Sequence, residues 1–477
     1  MNLPHNTLHI TRLSCIDRVI WFCLIFLLVF VPLSFGGNVY WARTVMEVLA
    51  FFSLGLFLIK NAFIQPSRFR FPLLCPVFLL VVLVVLQLVP LPVSVLKVLS
   101  PGAYDIYSEY LPHVPGVAGL RTLSLCPAAS AHRAVELAAY LSIFFLVVNM
   151  AKTRKDINRL VLVIILVGCF EAFYGLIEYF SGSQHILFYK KKWYLESATG
   201  TFINRNHFAG YLEMVVPLVL GLALSAVPHL RNWRASLKWM AGERVNLVAL
   251  GFFAVIVMSL AIIFSRSRAG ILSFAASMVF LGCLFAGEWG SRSKLWIIVS
   301  ILVIVLLAGV WMGLDVVTER FAGLADTAHL GDSAGGRWII WKASLGLVKE
   351  YPIFGCGLGA FVSVFPVVQP AIISNAIYDH AHNDYLEFLV EFGIVGLVCL
   401  IWILVLIVRK AVALLRAEST PYARGLTAGI AASMLAILLH SFTDFGLHMP
   451  ANALVFAVLI GILFSMEPGG TNGSSQL

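Results

Sequence analysis

The chain has 477 residues, of which 60% are apolar and only 12% charged. Soluble domains carry roughly 25% charged residues, so this inventory excludes a protein wrapped in a water-facing surface. The formal net charge of +9 is spread over short basic connections, which reads as a topology signal and not as an exposed basic domain that binds nucleic acid.

Apolar runs of about 20 residues, the length that crosses a hydrocarbon core of about 30 Å, recur along the whole chain. They fall near 19–35, 44–59, 73–91, 134–150, 160–180, 207–226, 245–264, 269–287, 295–314, 385–408, 425–439 and 451–466. The fold class expected is therefore all-α: a polytopic integral membrane protein of about 12 transmembrane helices. The first run follows Arg12 and Arg18, and no small-x-small cleavage pattern follows Ser34 and Phe35, so it reads as a retained span.

Lys and Arg hold loops on the cytoplasmic side. Counted from an inside N-terminus, the inner connections are short and dense in these residues, which predicts that both termini are cytoplasmic. Three outer segments are long: 92–133, 181–206 and 315–384. Most of the eight cysteines lie in or beside spans at spacings that match no metal or redox motif, and only Cys126 and Cys356 could meet outside. Glu136, Glu171, Glu178 and Glu213 lie in or near spans, where a carboxylate is either functional or paired.

Along the second half of the chain, Ser265-Arg266-Ser267-Arg268 sits between two apolar runs with almost no loop. Its guanidiniums either snorkel at a span boundary or face an anion. A guanidinium suits phosphate because its fork donates two parallel hydrogen bonds and its charge is permanent.

Within the third outer segment, Arg337 follows two glycines, and Trp338, Trp341, Leu345 and Val348 recur at helical spacing until Tyr351-Pro352. That pattern predicts an amphipathic interfacial helix. Arg337 would touch lipid headgroups there or, together with Arg266 and Arg268, a diphosphate. Gly355-Cys356-Gly357-Leu358-Gly359 reads as a flexible turn and matches no phosphate-binding fingerprint.

Asp379 to Glu387 concentrates ionisable groups immediately before a long span. Asp384 and Glu387 have the spacing of a capping box. His382 at the helix mouth could accept a proton from a hydroxyl, since imidazole titrates near working pH. His380, His382 and Asp384 offer metal donors, but no motif elsewhere completes a ligand set, so no metal is expected. The turn His440 to Pro450 holds Asp444 between two histidines, which could orient an acceptor sugar, pair with the arginines or form a satisfied polar loop. The tail 468–477 is small and polar, the composition of disorder.

Four segments resemble the O-antigen ligase and O-antigen polymerase superfamily of bacterial envelope enzymes. They are Gly200 to Leu212, Ser265 to Gly270, Gly336-Arg337 with Trp341-Lys342, and His382 to Leu386 leading into Glu391 to Gly396. The resemblance divides the chain into N-terminal helices (1–190), a ligase-like core (191–410, with the outer loop 315–384), C-terminal helices (411–467) and the tail.

The resemblance implies an inverting glycosyltransferase of the inner membrane, working on the periplasmic face without metal or cofactor. Its donor would be a glycan on undecaprenyl diphosphate and its acceptor a hydroxyl of lipid A core or of another glycan. Carried onto this sequence, His382, Arg337 and Arg268 would be catalytic. Arg266, Arg205, Asn206, His380, Asn383 and Asp444 would bind donor or acceptor. A polymerase of the same superfamily is the alternative, and a lipid-carrier flippase is the alternative of another class. Pseudo-symmetric halves, which a transporter is expected to show, are not visible in the sequence.

Overall fold

A computed structural model describes residues 5–66, 68–110, 120–227, 242, 244–287, 298–300, 303, 307, 334–373, 376–417 and 420–467. In chain order its helices begin with α1 (His5–Leu33), α2 (Tyr40–Phe63), α3 (Leu74–Leu88), α4 (Val93–Leu99) and α5 (Pro101–Tyr110). There follow α6 (Pro127–Met150), α7 (Arg154–Ser181), α8 (Arg205–Ala226), α9 (Arg244–Phe264) and α10 (Arg268–Gly287). The last are α11 (Ala334–Glu350), α12 (Phe361–Val364), α13 (Asp384–Arg416), α14 (Pro421–His440) and α15 (Pro450–Ser465).

Among the described residues nine helices are long and apolar enough to cross a membrane: α1, α2, α6, α7, α8, α9, α10, α13 and α14. The shorter α3 and α15 are apolar as well. Together they coincide with every expected run except 295–314, which lies largely outside the described residues, as do 315–333 and the tail. Among the described residues, strands are limited to two ladders of two residues each, Leu91–Pro92 with Leu120–Arg121 and His185–Ile186 with Tyr189–Lys190.

Local chemistry starts these helices. Proline occupies the first turn of α6, α14 and α15, where its missing N–H costs nothing. Thr153 and Asp156 form a reciprocal capping box at the head of α7.

The core centres on α8, which is buried on every side and packs against α7, α9, α10 and α14. Small residues let α8 and α14 approach: a Cβ on Gly221 would come 2.4 Å from the Gly425 carbonyl oxygen, and one on Gly425 equally close to that of Gly221. Such seams carry helix association in lipid, where burying apolar surface gives no drive. Ser433 donates across the seam to the Met214 carbonyl.

A second apolar cluster forms a cap on one end of the bundle. Leu96 of α4, Leu123, Ile340 and Leu347 of α11, and Phe361 and Phe365 share it. The described part of the expected outer loop, from 334 on, is thus a packed layer that also draws on Leu96, Ala103 and Leu123.

Cap and bundle meet where α13 breaks. Gly393 takes φ 63° and ψ −164°, and the backbone groups this frees are met by the 352–357 segment. Ile394 N–H donates to the Pro352 carbonyl (2.9 Å) and Cys356 N–H to that of Val390 (2.9 Å). Gln87 of α3 locks the crossing, donating to the carbonyls of Phe354 (2.7 Å) and Glu391 (2.8 Å).

The glycines expected to form a flexible turn are therefore a fixed, buried crossing. Gly355, Gly357 and Gly359 all have positive φ, and a Cβ on Gly355 would lie 2.2 Å from the Glu391 backbone. Cys356 lies beside Leu125, whose N–H donates to its carbonyl (2.9 Å), yet Cys126 and Cys356 are both free thiols. The four glutamates singled out in or near spans are all partnered: Glu136 with Arg133, Glu178 with Lys191, Glu213 with His440, and Glu171 with Thr201.

Candidate functional site

The mouth of α13 is built differently from the capping box its sequence suggested. Asn383 is the cap, its side chain accepting the Leu386 N–H at 3.0 Å. Asp384 and Glu387 are thereby left free to engage histidines. Asp384 lies 2.7 Å from His448 Nδ1, and its other oxygen accepts from Ser441 (2.7 Å). Glu387 meets His380 Nδ1 at 2.7 Å and His448 Nε2 at 3.3 Å, and accepts the Ala381 N–H at 2.7 Å.

These contacts strap down the 380–382 segment, and Trp341 of α11 adds a bond from its indole N–H to the Ala381 carbonyl (3.0 Å). So fastened, His382 adopts φ 51°, a left-handed conformation that a residue other than glycine holds only when its surroundings impose it.

The wall of the site comes from the turn between α14 and α15. Phe445 stacks on His380 (4.1 Å between ring centroids) and meets His382 (5.1 Å) and His207 of α8 (4.7 Å) edge-on. Asp444, next to it, is buried, with Oδ1 3.6 Å from His382 Nδ1. Burial alone would raise this carboxyl, but His382, His207 and Arg337 outweigh it and hold Asp444 well below the usual carboxylate range. The guanidinium of Arg337, half-buried at the first turn of α11, donates to the Thr443 carbonyl.

Two imidazoles are driven apart by their surroundings. Burial opposes charge on His448, but Glu387 and Asp384 prevail and raise it to about 9. For His380, burial outweighs Glu387 and leaves the ring below its ordinary value. Among the described residues, His380, Glu387 and His448 are the one group able to hold a metal, their donor atoms all within 4.8 Å of one another. Each of these donors already has a protein partner: Glu387 meets both His380 and His448, and His448 also meets Asp384.

The remaining arginines lie at the same lip. Arg205 and Asn206 open α8 and are buried, the Arg205 guanidinium lying 4.9 Å from the centre of the Tyr194 ring. Arg266 pairs with the exposed Glu196 at 2.8 Å. Arg268 opens α10 and is exposed. Two residues on, a Cβ on Gly270 would come 2.7 Å from Ala209 of α8, which sets the α10 start beside His207.

Of the candidates named from sequence, Arg337, His380, His382, Asn383 and Asp444 therefore form one cluster, and Arg205, Asn206, Arg266 and Arg268 sit around the heads of α8 and α10. Sequence reasoning missed Phe445 and His207 as site residues. Nothing in a lone phenylalanine signals a shared wall for histidines, and His207 stood out only within the Gly200 to Leu212 segment.

Residues 253–401 match the family described as O-antigen ligase. No curated protein matches the chain. The matched stretch contains Arg266, Arg268, Arg337, His380, His382 and Asn383, whereas Arg205, Asn206 and Asp444 fall outside it.

Proposed function

We propose, from the premise that residues 253–401 are an O-antigen ligase-type domain, that this protein is an inverting glycosyltransferase of the O-antigen ligase type. It moves a glycan from undecaprenyl diphosphate to an acceptor hydroxyl at the periplasmic face of the inner membrane. The observation that carries this reading is the joining of Arg337, Asp444 and His382 at one lip of a helical bundle.

In this reading Asp444 orients His382 through Nδ1, and Nε2 takes the proton of the acceptor hydroxyl. The acceptor oxygen attacks the anomeric carbon from the face opposite the leaving group. The bond to the diphosphate breaks, and its electron pair departs with the phosphate oxygen. Negative charge grows on the diphosphate, and Arg337 and Arg268 supply fixed positive charge to meet it. Arg266 can join them cheaply, because an exposed partner such as Glu196 holds an ion pair only weakly. Arg205, Asn206, His380 and Asn383 line the approach for donor and acceptor sugars. The family resemblance implies that neither metal nor nucleotide takes part. Lipid A core is the acceptor of this reading.

The test is reconstitution in liposomes with an undecaprenyl-diphosphate oligosaccharide and lipid A core. Release of undecaprenyl diphosphate is expected, and Arg337→Ala and Arg268→Ala are each expected to lower the rate by about 100- to 1000-fold, as losing one preformed charge-stabilising donor does. Wild-type rates in both variants would sink the assignment. Elongated lipid-linked chains would make it a polymerase, and movement of the carrier without release would make it a flippase.

A further inference from the structure

Beneath the lip, four acid–base side chains stand in a row that runs into the membrane core. Glu213 of α8 faces His440 Nδ1 through Oε1 at 3.0 Å. The other nitrogen of His440 faces Asp444 Oδ2 at 3.9 Å, and Asp444 Oδ1 faces His382 Nδ1 at 3.6 Å. The side chains of Glu213, His440 and Asp444 are 0%, 2% and 1% exposed.

Four buried atoms of this row have no hydrogen-bond partner: Glu213 Oε2, His440 Nε2, Asp444 Oδ2 and His382 Nδ1. Buried polar atoms in a finished structure are nearly always paired. The gaps of 3.6 and 3.9 Å are too long for hydrogen bonds, and each can be closed by a small movement of one ring or carboxylate. Catalytic contacts of this kind are commonly long in the empty site and tighten around substrate.

We propose that Glu213 and His440 are positioning residues for the transfer base: they pin Asp444 so that it holds His382 by Nδ1, leaving Nε2 to receive the acceptor's proton. The proposal rests on the transferase reading above. A ring with a carboxylate at each nitrogen donates to both only when it carries both N–H groups, and Glu213 supplies the charge that stabilises that form of His440. One oxygen of Asp444 is then committed to His440. Its other oxygen, already accepting the Phe445 N–H at 2.9 Å, is fixed toward His382. As the acceptor O–H bond breaks, the proton passes to His382 Nε2, and the imidazolium so formed faces an anion that cannot turn away. A carboxylate buried in the middle of a span is costly, and this use gives Glu213 a reason to be there.

Glu213→Gln and His440→Gln keep shape and polarity but remove the charge relation. With the same donor and acceptor, each is expected to lower kcat by about tenfold or more, a fraction of the about 100- to 10,000-fold that a general base supplies. The KM for the donor should hold. In a His382→Ala background, Glu213→Gln should cost nothing further, since residues acting as a unit are not additive. Wild-type kcat in both single variants, or equal losses with and without His382, would overturn the proposal. A wild-type protein that releases no undecaprenyl diphosphate would instead overturn the transferase reading, and the proposal with it.

Discussion

Phe445 is a residue on which three imidazoles of the site depend, because its ring touches His207, His380 and His382 alike. Aromatic contacts of this geometry contribute about 0.5–1.5 kcal/mol each beyond buried area, so losing the flat ring loosens all three histidines together. Phe445→Leu, which keeps apolar volume, is expected to reduce transfer at least about tenfold, with little change in expression. Wild-type turnover in that variant would show that the wall is dispensable.

His448 makes a different prediction at the same scale. Its value of about 9 lies above that of a free imidazole, about 6.5. Its ion contacts with Asp384 and Glu387 therefore stabilise the protein fully below the free value, and that stability is lost as pH rises through about 9. The thermal midpoint of the detergent-purified protein should fall between pH 7 and pH 10, and His448→Gln should flatten the fall while lowering the midpoint at pH 7. A pH dependence identical in the variant would remove His448 from the account.

Among the elements, the broken helix α13 decides whether the site forms, because its break carries the 352–357 crossing segment of the cap. At Gly393 the chain needs a positive φ, and a Cβ there would come 2.3 Å from the Ile353 carbonyl oxygen. Gly393→Ala is thus expected to cost about 1–3 kcal/mol in backbone strain alone, and more from the overlap. Its measure is the yield of monodisperse protein by size-exclusion chromatography, which should collapse relative to wild type.

The spans themselves were legible from sequence, since runs of about 20 apolar residues admit few other readings. So was α11, from the helical spacing of Trp338, Trp341, Leu345 and Val348. The break was not legible, because glycine inside an apolar run carries no sign of its φ, and the 352–357 backbone that compensates it comes from a distant part of the chain. The capping-box reading failed for a related reason. Spacing showed that Asp384 and Glu387 could cap, but not that His448, in the α14–α15 turn, would claim Asp384 first. Arg337 and His382 could be named as candidates by residue type and position, whereas their joining through Thr443 and Asp444 is purely tertiary.

At the scale of the whole molecule, the start of α1 and the end of α15 lie at the end of the bundle away from the site. The turn after α1 lies against the site end: a Cβ on Gly36 would meet the Phe202 ring at 2.5 Å, and one on Gly37 would meet Pro450, the first residue of α15, at 2.7 Å. Hence the start of α1 and the end of α15 lie at the far face, where Glu467 pairs with Arg70 of the α2–α3 connection at 2.6 Å. The start of α1 and the end of α15 therefore share one side of the bundle. The density of Lys and Arg in the far-side connections argues for the cytoplasm. Green fluorescent protein fused after Leu477 should therefore fluoresce. Alkaline phosphatase fused after Lys190, in the His185–Lys190 hairpin beside the head of α8, should be active because it reaches the periplasm. The reverse pair of results would turn the molecule over and put Arg337 and His382 in the cytoplasm, on the wrong side for a donor presented at the outer face.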